Sequence, residues 1–185
     1  VKKILPEEGI VLTSKGAIVQ GILGIGGENH GKITLIVANR KDLIKKEMIN
    51  DSHRGKIIIT GSYLPLEVFN YAREIGVSGI VAGGFDYNSL SSILGYDLGV
   101  AVTGSEDLGI SLMLTEGFGK ITMAKGTFEL FKRFDGLFAS INGSTQIRAG
   151  VIRPEVMIPH DEPIQAKNLL ESDMIISEGS PVRVI

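Results

Sequence analysis

The chain has 185 residues, 43% of them apolar, with 24 Gly, no Cys and no Trp. Nineteen basic residues against 21 acidic ones give a formal net charge of −2. These figures exclude a disordered chain, a disulfide-framed fold and a thiolate metal site, and they provide no overall basic excess for nucleic acid.

In chain order, residues 9–38 read as β-structure. Apolar runs at 10–12, 17–19, 22–23 and 33–37 are punctuated by Gly16, Gly21, Gly24, Gly26, Gly27 and Gly31. That pattern predicts a small Gly-rich β module with tight turns and bulges. Residues 39–54 are polar and charged around Leu43, Ile44, Met48 and Ile49, which predicts one short connecting helix capped by Asn39 or Asp42. The mixed-sign charges at 41–46 read as a solvated face.

From Gly55 the pattern changes to β-α-β-α-β. Residues 56–60 form a β-branched run, and Pro65 opens a helix that Gly76 ends. A second strand at 79–82 closes on Gly83-Gly84, and Asp86 caps a short helix stopped by Gly95. A third strand is expected at 99–103. Short connections between such elements favour parallel strands. Residues 110–115 suit either a fourth strand or a helix capped by Ser105. Thr122 is the expected cap of a helix whose buried face is Thr127, Leu130, Phe131 and Phe134. Strands are expected at 137–141 and around Pro154. The predicted fold class is therefore α/β, divided as 1–50 (β module and connector), 51–158 (α/β domain) and 159–185 (extension).

Ligands of parallel α/β sheets sit outside the carboxyl ends of the strands. Here those ends are Gly61-Ser62, Gly83-Gly84 with Asp86, and Thr103-Gly104-Ser105-Glu106. Glycines admit a ligand to the backbone, and amides at helix starts favour anions. Ordinary βα turn chemistry explains the same composition. A second candidate is Asn142, Ser144, Gln146 and Arg148, where Arg148 could clamp a carboxylate or phosphate. Asn142-Gly143 also suits a two-residue hairpin turn. A third is 115–120, with Phe118 between two glycines as a lid or a plug. Glu116, Glu106, Asp107 and Asp86 could converge as metal-binding carboxylates, a weaker alternative that nothing in their spacing specifies, and His30, His53 and His160 are far apart. No catalytic motif and no cofactor are identified.

The landmarks Gly55-Lys-Ile-Ile-Ile-Thr-Gly61, Ala72-Arg-Glu-Ile-Gly76 and Val77-Ser-Gly-Ile-Val-Ala-Gly-Gly84 resemble the swivelling β/β/α domains. Those include the ribonuclease-regulator A type and the small domain of aconitase-like enzymes. The resemblance implies a layered fold and carries no catalytic residue. Residues 115–119 and 142–155 resemble an uncharacterised prokaryotic multidomain family of longer proteins. The last seven residues, 179–185, resemble the first strand of a KOW-type barrel.

The chain starts at Val and ends on a strand-like run, which predicts a segment of a longer protein; a C-terminal edge strand is the alternative. The expected function is a non-enzymatic binding or scaffolding segment of a larger cytoplasmic protein. Its expected partner is another domain or a protein, with neither membrane nor nucleic acid engaged. The alternative is a small-molecule or anion site, possibly enzymatic, at the strand-end Gly turns.

Overall fold

In this computed structural model, which describes residues 1–11, 13–95, 108–146 and 152–161, the isoleucine triplet Ile57–Ile59 is fully buried on both faces. It forms β6 at the centre of a mixed eight-stranded sheet of order β3-β10-β9-β5-β6-β7-β8-β4. The other strands are β3 (Gly16–Gln20), β4 (Leu23–Ile25), β5 (Glu28–Leu35), β7 (Gly79–Phe85), β8 (Ser111–Phe118), β9 (Phe138–Asn142) and β10 (Glu155–Pro159). A separate hairpin pairs β1 (Lys3–Leu5) with β2 (Gly9–Val11). Strands β5, β6, β7 and β8 run parallel, and the remaining pairings of the large sheet are antiparallel.

Two corners fold this sheet into layers. In β5, Glu28–Lys32 pairs with β9, and Ile33 to Leu35 pair with β6. The second corner joins the ends of the strand order. Strand β3 pairs with β10, and two residues later β4 pairs with β8. Between them the Gly21 amide donates to the Pro154 carbonyl at 2.8 Å, and the Ile22 amide to Leu114 at 2.8 Å. The chain thus passes from one end of the strand order to the other within two residues, which turns the sheet back on itself. Strands β3 to β5, from the first 50 residues, belong to the same sheet as β6 to β10.

Strand alternation sends side chains into two cores. Ile58, Ile80, Ala82, Leu112 and Leu114 face α1 (Leu66–Ile75) and α2 (Tyr87–Leu94), which bury Val68, Phe69, Ala72 and Leu90. Ile33, Ile57, Ile59, Val81 and Met113 face the opposite way. There they meet Val156 and Ile158 of β10 and Phe128 and Phe131 of α3 (Lys125–Arg133). Helix α1 ends at Gly76 in the left-handed conformation (φ 85°), and Asp86 caps α2 by accepting from the Ser89 amide at 2.8 Å, as expected.

Four local expectations are corrected. Residues 39–54 hold two separate 3-10 turns, Lys46–Met48 and Asp51–His53, in place of one helix. The backbone is extended at Lys45, Ile49 and Asn50, which lets Ile44 and Ile49 both reach the core under α1. Thr122 does not cap α3; the N-cap is Ala124, whose amide donates to the Glu116 carboxylate at 3.0 Å. The buried face of α3 is Phe128, Phe131 and the C-cap Phe134, with Thr127 and Leu130 only half-buried. Asn142-Gly143 is not a two-residue hairpin turn, because β9 continues into a loop that packs on β4. Residues 111–118 form a strand, so of the two readings there the helix is ruled out. The strand expected at 99–103 lies outside the described residues.

Candidate functional site

Two of the three predicted strand-end turns, those at Gly61 and Gly83, lie side by side. The Gly83 amide donates to the Ser62 carbonyl at 3.0 Å, and the Leu64 amide to the Gly84 carbonyl at 2.9 Å. Gly61, Ser62, Gly83 and Gly84 are all buried, and Ser62 is 6% exposed. What approaches them is this chain's own backbone. A Cβ on Gly83 would collide with the Ile121 carbonyl, and one on Gly84 with that of Gly119. A Cβ on Gly61 would collide with the Arg40 backbone. Close approach is thus realised here between segments of the fold, with 119–123 laid across the strand ends. Asp86 is engaged as the α2 cap. Thr103, Gly104, Ser105 and Glu106 lie outside the described residues.

The second cluster lies elsewhere. Asn142 pairs in register with Glu28, at the amino end of β5, whereas Gly61 follows the carboxyl end of β6. The Asn142 side chain accepts from the Ser144 amide at 2.8 Å and donates to Glu28 at 3.4 Å. Gln146 bridges Ile152 through its backbone. Arg148 lies outside the described residues. Phe118, 39% exposed, sets its ring edge-on to Tyr87 at 5.2 Å. Among the described residues no group of three His, Asp or Glu side chains is arranged to hold a metal ion.

Beside the buried glycine turns opens a cleft of about 460 Å³ that the sequence reading did not pick out. One wall is the loop after β5, carrying Asn39, Arg40, Lys41 and Asp42. The other is α3, with Lys125, Phe128, Glu129 and Lys132 at helical spacings i, i+3, i+4 and i+7. The loop is tightly tied. Asp42 accepts from the Asn39 amide at 2.8 Å, and its own amide donates back to the Asn39 carbonyl at 3.0 Å. Arg40 Nη1 donates to the Met123 carbonyl at 3.1 Å, and the Met123 amide donates to the Gly61 carbonyl at 2.9 Å. Gly61 therefore positions both walls, through Arg40 on one side and the start of α3 on the other.

Among the described residues four cations line this cleft against two carboxylates, Asp42 and Glu129, and Asp42 is committed to Asn39. None of Arg40, Lys41, Lys125 and Lys132 forms an ion pair among the described residues. Its electrostatics therefore favour an anion. The available sequence signal was the pair Lys125 and Lys132, seven residues apart on one helix face. The loop cations are more than 80 positions away, and only the fold brings them together.

No family model matches the chain, and neither a curated protein nor a solved structure matches it. No helix among the described residues is long and apolar enough to cross a membrane.

Proposed function

We propose that this chain is a binding module whose ligand is a small polyanion, a phosphate ester or a polycarboxylate, held between the Asn39–Asp42 loop and α3. The observation that carries the reading is the excess of cations without an ion pair among the described residues, four against two carboxylates, in a cleft beside the carboxyl ends of β5 and β6. Arg40 offers the remaining N–H groups of a guanidinium whose position is fixed by Met123, which suits planar two-point recognition. The three lysines add point charge. Among the described residues the lining is dominated by charged side chains, which suits the holding of an anion. We read the layers, an antiparallel sheet, a parallel sheet and then α1 and α2, as those of a swivelling β/β/α domain.

Calorimetric titration with inorganic pyrophosphate tests the site. Saturable binding is expected, together with its loss in the double variant Lys125→Glu/Lys132→Glu. No saturable binding, or binding that the double variant leaves unchanged, would overturn the proposal.

A further inference from the structure

A second cavity, of about 450 Å³, lies at the opposite, amino end of the parallel strands. Its lining includes Lys32, Arg54, Lys56 and Ser78, together with the rings of His30 and Phe138, and among the described residues no carboxylate lines it. That size falls within the roughly 300–1,000 Å³ range of small-molecule sites. The β5 corner creates it. Gly31 lies so close to the Gly55 carbonyl that a Cβ would collide there, which brings Lys32 beside Arg54 and Lys56. Lys32 and Lys56 form no ion pair among the described residues. The Arg54 ion pair with Asp51 is 3.7 Å long with both side chains mostly exposed, so it restrains Arg54 weakly.

Phe138 stands opposite Lys32 across the β5–β9 register and is 56% exposed. Its ring centroid is 5.5 Å from that of His30, with a 40° tilt. An exposed aromatic pair beside three cations, of which only Arg54 has a carboxylate partner among the described residues, offers two complementary surfaces. One is a π face for a planar ring, and the other is a positive lobe for phosphate. The net charge of −2 hides this local excess, because its cations come from separate parts of the chain. We infer that this cavity binds a nucleoside phosphate, with the base against Phe138 and the phosphate among Lys32, Arg54 and Lys56. The shared chemistry can come from a free nucleotide or from one unit of a single-stranded nucleic acid.

The test is NMR titration of the full chain with AMP, with a short single-stranded oligouridylate and with inorganic phosphate. Saturable binding of AMP or of the oligonucleotide is expected, weakened about tenfold or more by Phe138→Ala and restored by Phe138→Tyr. Weak phosphate binding should be unaffected by Phe138→Ala and lost in Lys32→Glu/Lys56→Glu. Comparable affinity for AMP and for each unit of the oligonucleotide identifies a free nucleotide as the ligand. Much tighter oligonucleotide binding identifies a single strand. Binding should survive in Lys125→Glu/Lys132→Glu, which separates this site from the cleft on α3. Failure of both probes to bind, or binding that ignores Phe138→Ala or the Lys32/Lys56 reversal, would overturn the inference.

Discussion

Gly61 meets Arg40 backbone to backbone, and a Cβ on Gly61 would overlap the Cα, carbonyl carbon and carbonyl oxygen of Arg40. Both partners are main chain, so neither can swing aside as a flexible side chain would. Gly61→Ala must therefore push the Asn39–Asp42 loop away from the strand ends. The expected cost is at least the ~1–3 kcal/mol of ordinary overpacking, read as a lower denaturation midpoint at unchanged slope. Because the shift moves Arg40, affinity for pyrophosphate should fall as well. An alanine variant of full stability would show that the two backbones are not in contact.

The anion cleft should depend on the shape of Arg40 as well as on its charge. Nη1 is committed to Met123, and the rest of the guanidinium fork remains for a ligand. Lysine keeps the charge and loses the fork. Arg40→Lys is expected to weaken pyrophosphate binding by roughly tenfold. Lys41, Lys125 and Lys132 are exposed, so binding should also weaken as ionic strength rises. Calorimetry at two salt concentrations checks both points, and salt-independent binding would contradict the electrostatic account.

Much of the parallel half of the fold was legible because its signals are local. Pro65 and Gly76 bracket α1, Asp86 and Gly95 bracket α2, and Ile57–Ile59 has the β-branched character of a buried strand. The closing corner was not legible. Nothing in Gly21-Ile22 says that β10 lies on one side and β8 on the other, since those partners are 92 to 133 positions away. The glycine turns were legible as places of close backbone approach, but the approaching group is chain and not ligand. The charges at 41–46 read as a solvated face from sequence, because the lysines that complete the cleft lie on α3.

Thr145 seals the closing corner. Its hydroxyl accepts from the Gly24 amide at 2.7 Å and donates to the Gly24 carbonyl at 3.0 Å, and the residue is 1% exposed. Thr145→Val keeps the shape and leaves both Gly24 groups buried without that partner. The expected loss is ~1–3 kcal/mol, measured by denaturant unfolding. Hydrogen exchange at the Gly24 amide should accelerate more than at Ile58 in β6, because the defect is local to the corner. Uniform acceleration would mean that the corner does not open separately.

The two cores share their strands, which predicts how they unfold. Ile57 and Ile59 point toward α3 while Ile58 between them points toward α1, and Val81 and Ile80 divide in the same way. Neither core can lose its packing without releasing alternate residues of the other. Phe131→Ala on the α3 side and Phe69→Ala on the α1 side each empty a fully buried site, at a cost of ~3–5 kcal/mol. Each should lower the midpoint of one common transition, with far-UV circular dichroism and amide signals from α1 and α3 coinciding. A Phe131→Ala protein in which α3 melts while α1 and β6 keep their protection would show that alternation along β6 and β7 does not couple the layers.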